Sequence, residues 1–554
     1  MNKKILIVGS VAGGATAAAR LRRLDESARI IMFERDEYIS FANCGMPYYI
    51  GGIIKNRSNL FVQTPQKIKN ELDIDIRIFS EVTAVDTKNK IITVNSREKG
   101  IYQENYDNLI LAPGAKPIKP PIPGINNERI LSLRNIYDTD LIKSWVDSKK
   151  ISRVTIVGGG FIGVEMAENL KVQGLDINLV EAAPHILAPF DSDMSSRLEK
   201  ELTDNGINLI LEDGVQSFTV INEYVQIKLT SGKSLGSDLV ILAIGVTPDT
   251  GFLKGSNIDL GPKGHIIVNE HMETSEPSVY AVGDAIELTD CITDYKTAVP
   301  LAGPANRQAR IAADNIAGIH SVYSGVIGSA IIKVFDLTAA VVGSNERTLA
   351  RLAFPYKAVS IHAPSHASYY PGAMPILLKV IFNKENGCIL GAQGIGTDGI
   401  DKRIDVIAAV IKLKGTIHDL ADLELCYAPP FSSARDPVNI AGYVAENTLA
   451  GISSPISYAE YLTTVKDSPV LLDVRSKSEF KDGHLENAVN IPLDTLRKRI
   501  NELNKQKSVV TYCKIGRRSY LAERILMQKG YSVSYISGGY QTITDAGYLK
   551  SEKD

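Results

Sequence analysis

The sequence predicts an α/β chain, on three observations. A strand–glycine turn–helix–strand–acid pattern occurs twice, at 4–34 and again at 153–181. Each occurrence is followed by an apolar strand that stops at a glycine, DNLILAPG at 107–114 and DLVILAIGV at 238–246. From about Tyr323 the pattern changes to paired strands and one amphipathic helix: IIKVFDLTAAVVGS, ILLKVIFNKENGCILGAQGIG with a turn at 383–387, and KRIDVIAAVIKL. The first two observations predict two Rossmann-like dinucleotide-binding domains of parallel sheet. The third predicts an α+β domain after them.

Each element has its own reason. KILIV, at 4–8, is a continuous apolar run, as a buried parallel strand requires. GSVAGGATAAARLRRL follows, with Gly9, Gly13 and Gly14 at the turn and an alanine-rich helix behind them. Glycines there let backbone N–H groups approach a pyrophosphate resting on the helix N-terminus. The next strand, ARIIMFER, ends at Glu34, placed for a ribose hydroxyl. This turn is a variant of the G-x-G-x-x-G fingerprint. The second unit matches the fingerprint fully, with Gly158, Gly160 and Gly163 after RVTIV, and its second strand, DINLVEAAP, ends at Glu181. A carboxylate there accepts from a free 2′-hydroxyl and repels a 2′-phosphate, so NADH is expected as the preferred donor, with NADPH the second. PSVYAVGDAIEL places Gly283 and Asp284 at a strand end, and PLAGPANRQARIAADNIAG opens a helix able to stabilise negative charge on a reduced ring system.

The stretch SFANCGMPYYIGG, at 40–52, carries the candidate chemistry. Its single cysteine, Cys44, sits just after the first dinucleotide unit, which suggests a thiol set against a redox cofactor. A redox pair on one helical turn needs a second cysteine near position 49, which is Tyr49, and the next cysteine is Cys291. Any disulfide of Cys44 is therefore with a distant cysteine or a small thiol. Thiolates form at helix N-termini and near positive charge. Arg20, Arg22 and Arg23, on the first helix, offer a landing site for an anionic substrate. In the third domain the loops SHASYYPG and LCYAPPFSSARDPVN carry Tyr369, Tyr370 and Tyr427.

Asn447 to Ser457, NTLAGISSPIS, is rich in small residues and is expected to be a linker that need not be rigid. A separate module follows. SPVLLDVRS is a buried strand, and VVTYCKIGRRSYLAERIL puts Cys513 at the end of another, where the loop KIGRRS enters a helix. Backbone N–H groups at that helix N-terminus, with Arg517 and Arg518, should lower a thiol pKa and cradle an anion.

Composition bounds the rest. The 554 residues suggest about three or four domains. A formal charge of −2 points to neither nucleic acid nor a membrane surface as partner. Five scattered cysteines make no disulfide framework, which fits a reducing cytoplasm. Eight histidines without ligand spacing predict no metal. MNKKILIVGS enters a strand at once, so no signal segment is expected, and no apolar run is long enough to span a bilayer.

The chain to about 447 resembles the flavin-dependent pyridine nucleotide–disulfide oxidoreductases. The motifs that carry the resemblance are Gly9–Gly14 with Glu34, Gly158–Gly163 with Glu181, and Gly283-Asp284. SFANCGMPYYIGG resembles the single-cysteine branch, which includes coenzyme A disulfide reductase, NADH oxidase and NADH peroxidase. The oxidase and peroxidase carry a histidine where this chain has Ala12, and LCYAPPFSSARDP resembles the reductase's tyrosine loop. The resemblance implies FAD and NADH as cofactors, coenzyme A disulfide or persulfide as substrate, and a homodimer. It further implies catalytic roles for Cys44, Tyr369 and Tyr427, the tyrosines reaching over from a partner subunit. Thr16, Arg20, Arg23, Ser40, Asn43 and Arg435 are implied as coenzyme A contacts. Residues from about 457 onward resemble a rhodanese domain, with Asp473-Val474-Arg475, Gly483-His484 and Cys513–Ser519 as its signatures, implying a sulfane sulfur donor as a further partner. The domains implied are an FAD-binding domain at 1–115 and 244–322, an NAD(P)H-binding domain at 116–243, a dimerisation domain at 323–447 and a rhodanese domain at 455–554. Two rivals remain at this point: a peroxide or oxygen reductase using Cys44 as a sulfenic acid, and a sulfur carrier whose flavin half is a sensor.

Overall fold

Lys4–Val8 becomes the centre of a five-stranded parallel sheet, ordered Val279–Ala281, Asn108–Leu111, Lys4–Val8, Arg29–Phe33, Asp75–Arg77. The strand is apolar throughout because both faces are covered: Ile5, Leu6 and Ile7 are buried, and so are Ile30, Ile31 and Met32 beside them. Helices Ala12–Leu24 and Ala302–Ile316 pack side by side. A second sheet repeats the plan, in the order Asn208–Ile210, Asp176–Val180, Arg153–Val157, Leu239–Leu242, Ile130–Ser132. Each sheet is accompanied by a three-stranded antiparallel meander, Ser80–Asp86 to Gly100–Asn105 in the first and Val215–Ile221 to Ser234–Ser237 in the second. The chain passes between the two sheets twice, and the passing strands Ala115–Pro117 and Val246–Pro248 pair antiparallel.

The computed structural model describes residues 3–464 and 468–548. Two units emerge from it, Met1–Pro184 with Ile207–Val326, and His185–Gly206 with Ile327–Asp554. In the second unit the paired strands form one antiparallel sheet, ordered Ala330–Val334, Leu337–Gly343, Ile389–Gly396, Pro375–Asn383, Tyr356–Pro364. Helices Ile400–Lys412 and Pro437–Leu449 pack on it. The turn in ILLKVIFNKENGCILGAQGIG forms as its residues dictate. Asn383 Oδ1 accepts from the Glu385 N–H at 2.8 Å, and Gly387 takes φ +73°. Strand Tyr356–Pro364 went unmarked in the sequence because its alternation is short and closed by prolines at both ends.

The C-terminal module is a parallel sheet ordered Pro455–Ile456, Val533–Ile536, Val509–Tyr512, Val470–Asp473, Val489–Asn490. Here the expectation of a loose linker is corrected. Helix Pro437–Leu449 takes up the first residues of the stretch. The Ile452 and Ser453 N–H groups then donate back to Asn447 O at 2.9 and 3.1 Å. Ser454 N–H donates to Glu523 Oε1 at 2.6 Å, and Pro455–Ile456 joins the module's own sheet as its edge strand. Gly451 takes φ +68° there, and these backbone bonds close the turn into the edge strand. Beyond the junction, Ser360 N–H donates to Ser537 Oγ at 2.9 Å and His362 Nε2 meets Thr542 Oγ1 at 2.9 Å, so the module is seated on strand Tyr356–Pro364.

Candidate active site

The two glycine turns are built from the same contacts. Gly9 has φ +94° and Gly158 φ +111°, and a Cβ on either would strike the carbonyl of Ala112 or Ala243. A Cβ on Gly14 or Gly163 would lie 1.9 Å from the carbonyl oxygen of Gly9 or Gly158. These equivalences put Val11, not Gly13, at the position of Gly160. Gly13 instead lets the helix approach Val282, whose Cγ2 would be 2.9 Å from a Cβ. At Gly160 nothing lies within 4 Å of that point. Helices Ala12–Leu24 and Phe161–Val172 both begin without a side-chain cap, leaving their first N–H groups for a ligand. Open space and uncapped helix starts fit the phosphates of a dinucleotide at each turn.

The two acids take matching positions. Glu34 Oε2 accepts from Ser10 Oγ at 2.6 Å and from the Ser10 N–H at 3.2 Å, and burial pushes its pKa up. Glu181 accepts from the Gly159 and Ala183 N–H groups at 2.6 and 2.8 Å. Gly283, at φ +83°, donates its N–H to Gln308 Oε1 at 2.8 Å. Beside it the Asp284 carboxyl is pushed up by burial, which Arg134 at 3.7 Å opposes.

Cys44 lies in the single turn Asn43–Gly45, which runs into helix Met46–Ile50. The thiol is open to solvent on one side. The protein on its other sides pushes its pKa up, first by desolvation and then through the Glu165 and Asp284 carboxylates. The chain's own charges therefore oppose the thiolate, the reverse of the electropositive setting expected of a reactive cysteine. Glu165 is a residue the sequence reading missed. Its carboxyl is pushed up to about 7 by burial, and Tyr48 O–H, one helical turn beyond Cys44, donates to it at 3.4 Å. Its place two residues after Gly163, on the inner side of a cofactor helix, was the available signal. Asn43 Oδ1 is buried with no partner, a polar atom left for a ligand.

Thr16, Arg20 and Arg23 share a helix face by their i, i+4, i+7 spacing. Thr16 Oγ1 donates to Asn306 Oδ1 at 2.8 Å, Arg20 Nε to Asp314 Oδ1 at 2.7 Å, and Arg23 is exposed. Arg22 is buried and spends its guanidinium on the carbonyls of Leu72, Asp25, Glu26 and Asp73, which removes it from the expected anion site. Ser40 takes φ +44°, holding the cysteine turn through its N–H to Ser10 O at 3.0 Å.

Tyr369 and Tyr427, 58 positions apart in sequence, meet O–H to O–H at 2.6 Å. Both are exposed, and the bond to Tyr427 pushes the Tyr369 pKa up. Arg435 is exposed on the same loop as Tyr427, and Tyr370 packs edge-on against His366 at 5.7 Å. Cys44 belongs to the first compact unit and this pair to the second.

In the C-terminal module Cys513 is fully buried at the end of Val509–Tyr512. Ser519 Oγ lies 3.5 Å from its Sγ, and Gly516, at φ +96°, opens helix Arg517–Met527. Arg518 is held bidentate by Glu479 at 2.7 and 2.6 Å, which drives the Glu479 pKa down to about 2, while Arg517 is exposed. Arg475 pairs with Asp473 at 2.7 Å and lies 4.1 Å from the Tyr540 ring centre. His484 is stacked on Phe480 at 3.8 Å. Among the described residues no group of acids, histidines and cysteines could hold a metal, and no helix is long and apolar enough to cross a membrane.

The pyridine nucleotide-disulphide oxidoreductase family matches residues 3–309, its dimerisation domain 329–438, and the rhodanese-like domain 457–546. The coenzyme A disulfide reductase of Staphylococcus haemolyticus is 37% identical over 447 residues, 80% of this chain and all of that protein. Among solved structures, reduced Bacillus anthracis CoADR-RHD is 48% identical, covers 99% of this chain and 98% of its own, and superposes with a TM-score of 0.96. An NAD-dependent persulfide reductase from A. fulgidus is 34% identical over 97% of this chain and 99% of its own, with a TM-score of 0.91. The chain thus belongs to the pyridine nucleotide–disulphide oxidoreductase family, with a rhodanese-like domain at its C-terminal end.

Proposed function

We propose that this chain reduces coenzyme A disulfide with electrons from NADH through Cys44, as a homodimer, and that its rhodanese-like domain carries sulfane sulfur on Cys513. The single observation behind the reading is the isolation of Cys44 on the cysteine turn, where Tyr49 stands in place of a second cysteine a helical turn away. The second sulfur must then come from the substrate. The first glycine turn, Glu34 and Asp284 would hold FAD, which when bound would supply two-electron chemistry between NADH and sulfur. Glu181 holds the ribose hydroxyls of NADH and disfavours the 2′-phosphate of NADPH.

The protein's own residues do the rest. Cys44, as thiolate, attacks one sulfur of the disulfide; a Cys44–coenzyme A disulfide forms and the other coenzyme A leaves as thiolate. Tyr427 and Tyr369, brought from a partner subunit, place a proton on the departing sulfur. The mixed disulfide then takes two electrons and a proton, returning Cys44 and the second coenzyme A thiol. Thr16, Arg20 and Arg23 hold the anionic end of coenzyme A on one helix face, with Ser40, Asn43 and Arg435 as further contacts.

A second reading, coenzyme A persulfide as the preferred substrate, is favoured by the fused rhodanese-like domain and by the likeness to the persulfide reductase over nearly the whole chain. Cys513, carrying one sulfur as persulfide, transfers it to coenzyme A thiol; Cys513 returns as thiol and coenzyme A persulfide forms. Coenzyme A itself then carries the sulfur from Cys513 to Cys44. One set of variants tests the whole reading. Cys44→Ser should keep its flavin and still be reduced by NADH, but lose turnover with either substrate. Cys513→Ser should turn over pre-formed disulfide and persulfide at the wild-type rate, yet slow sharply with a sulfane donor and limiting coenzyme A. Disulfide turnover in Cys44→Ser would falsify the reductase reading, and the ratio of kcat/KM values for the two substrates ranks disulfide against persulfide.

A further inference from the structure

Two tyrosines that meet at 2.6 Å have little packing from their own chain to hold them, where Tyr369 is 74% exposed and Tyr427 48%. An exposed side chain keeps one rotamer only where its backbone is fixed, because ordering it costs conformational entropy that surface contacts do not return. The fixing is done underneath. Arg403, 2% exposed, donates through Nη2 to Ser365 O at 2.8 Å and to Asp436 Oδ2 at 2.8 Å, and through Nη1 to Gly399 O at 3.0 Å. Ser432 Oγ donates to the same Asp436 oxygen at 2.6 Å. The Ala367 N–H donates to Ser432 O at 3.0 Å, and Asp436 caps helix Pro437–Leu449 by accepting from the Val438 N–H at 3.0 Å. Ser365 and Ala367 begin the loop that carries Tyr369, and Ser432 and Asp436 end the loop that carries Tyr427.

We infer that the buried Arg403–Asp436 pair is a positioning device that sets the register of the Tyr369 and Tyr427 loops, and through it the rate of proton delivery to the departing thiol. The inference rests on the tyrosine roles proposed above. A guanidinium is needed because one group must serve a carboxylate and two carbonyls from different directions, which an ammonium on the same stem does not reach in plane. Both side chains are buried, Arg403 at 2% and Asp436 at 1% exposure, so they are positioning residues that act through the loops they hold.

The test is a double-mutant cycle in the full-length holoenzyme, with coenzyme A disulfide as substrate. Tyr427→Phe should lower kcat by about tenfold or more, as loss of a proton donor does. Arg403→Lys should lower kcat by about tenfold with KM little changed, a part of the roughly hundredfold that a misplacement of an ångström costs. The double variant should be no slower than the slower single. Flavin reduction by NADH, followed by stopped flow, should be the same in all four proteins. Ser432→Ala, which deletes one hydroxyl from the network, runs in the same cycle should Arg403→Lys fail to hold flavin, and is expected to show a smaller loss that likewise vanishes in the Tyr427→Phe background. Multiplying losses, or wild-type kcat in the network variants beside a slow Tyr427→Phe, would overturn the inference and leave the tyrosine reading intact. Wild-type kcat in Tyr427→Phe alone would sink the tyrosine reading, and the inference with it.

Discussion

Cys44 is opposed by its own neighbourhood. Desolvation and the Glu165 and Asp284 carboxylates hold its thiol above the ordinary range, and Glu165 itself titrates at about 7. The two groups are linked: each proton gained by Glu165 removes a negative charge that disfavours the thiolate. Glu165→Gln should therefore lower the Cys44 pKa. In dithiothreitol-reduced enzyme, alkylation by iodoacetamide at pH 8 should quicken by roughly twofold to fivefold, the effect of a fraction of a pKa unit. The difference should shrink below pH 7, where wild-type Glu165 is already protonated, and the two rate profiles should converge near pH 5. Parallel profiles at every pH would remove Glu165 from the account. Cys44 itself was legible in the sequence, because its place after a dinucleotide unit marked it. Glu165 was not, because its significance comes from its charge acting on Cys44, 121 positions away, and from its bond with Tyr48, and neither is visible in the spacing along the chain.

At the scale of the element, the two glycine turns show which sequence rules were steric and which were about the ligand. Gly163 faces a backbone carbonyl that cannot move without breaking the sheet, and Gly160 faces open space. Gly163→Ala should disturb the fold of the second nucleotide unit, at a cost of at least ~1–3 kcal/mol for an overpacked contact. It should be seen as a lowered Tm. Gly160→Ala should change stability by less than about 1 kcal/mol, leaving the Tm near that of wild type, yet raise the KM for NADH, because the added methyl occupies the approach of the pyrophosphate. An unchanged KM in Gly160→Ala would place the cofactor elsewhere. The first turn, with Val11 at the corresponding position, shows that the spacing of glycines alone misassigned their roles: Gly13 serves helix packing against Val282. Periodicity did find the elements around these turns, since a parallel strand buried on both faces is apolar at every residue. It did not find the two antiparallel meanders, whose outward residues include Ile101, Val220 and Tyr224 and so break the polar–apolar alternation.

For the whole molecule, the decisive observation is that the C-terminal module is seated within the second unit. His362 lies in that contact, half-buried against Thr542, and desolvation drives its pKa down to about 4, with Arg197 adding to the effect. It is therefore neutral when folded. An unfolded histidine takes a proton near pH 6.5, so this group's contribution to stability is whole above that pH. It is lost as the pH falls from there through about 4, by up to roughly 3 kcal/mol. Acid should loosen the seating first: amide exchange across strand Val533–Ile536 and helix Gly539–Asp545 should rise between pH 6.5 and 5, and His362→Asn should flatten that rise. Equal pH dependence in both proteins would assign the loosening to other groups. The sequence by itself determined the two nucleotide units, the isolated cysteine, the tyrosine loops and the Cys513 loop, because each follows from local spacing, turn chemistry and hydrophobic period. Only the tertiary structure decided that Arg22 faces inward, that the tyrosines pair above a buried Arg403–Asp436 bond, and that the small-residue junction is an edge strand rather than a hinge. Those outcomes depend on which distant backbone supplies a partner for each polar group, and that is set by packing across the chain, not by neighbours along it.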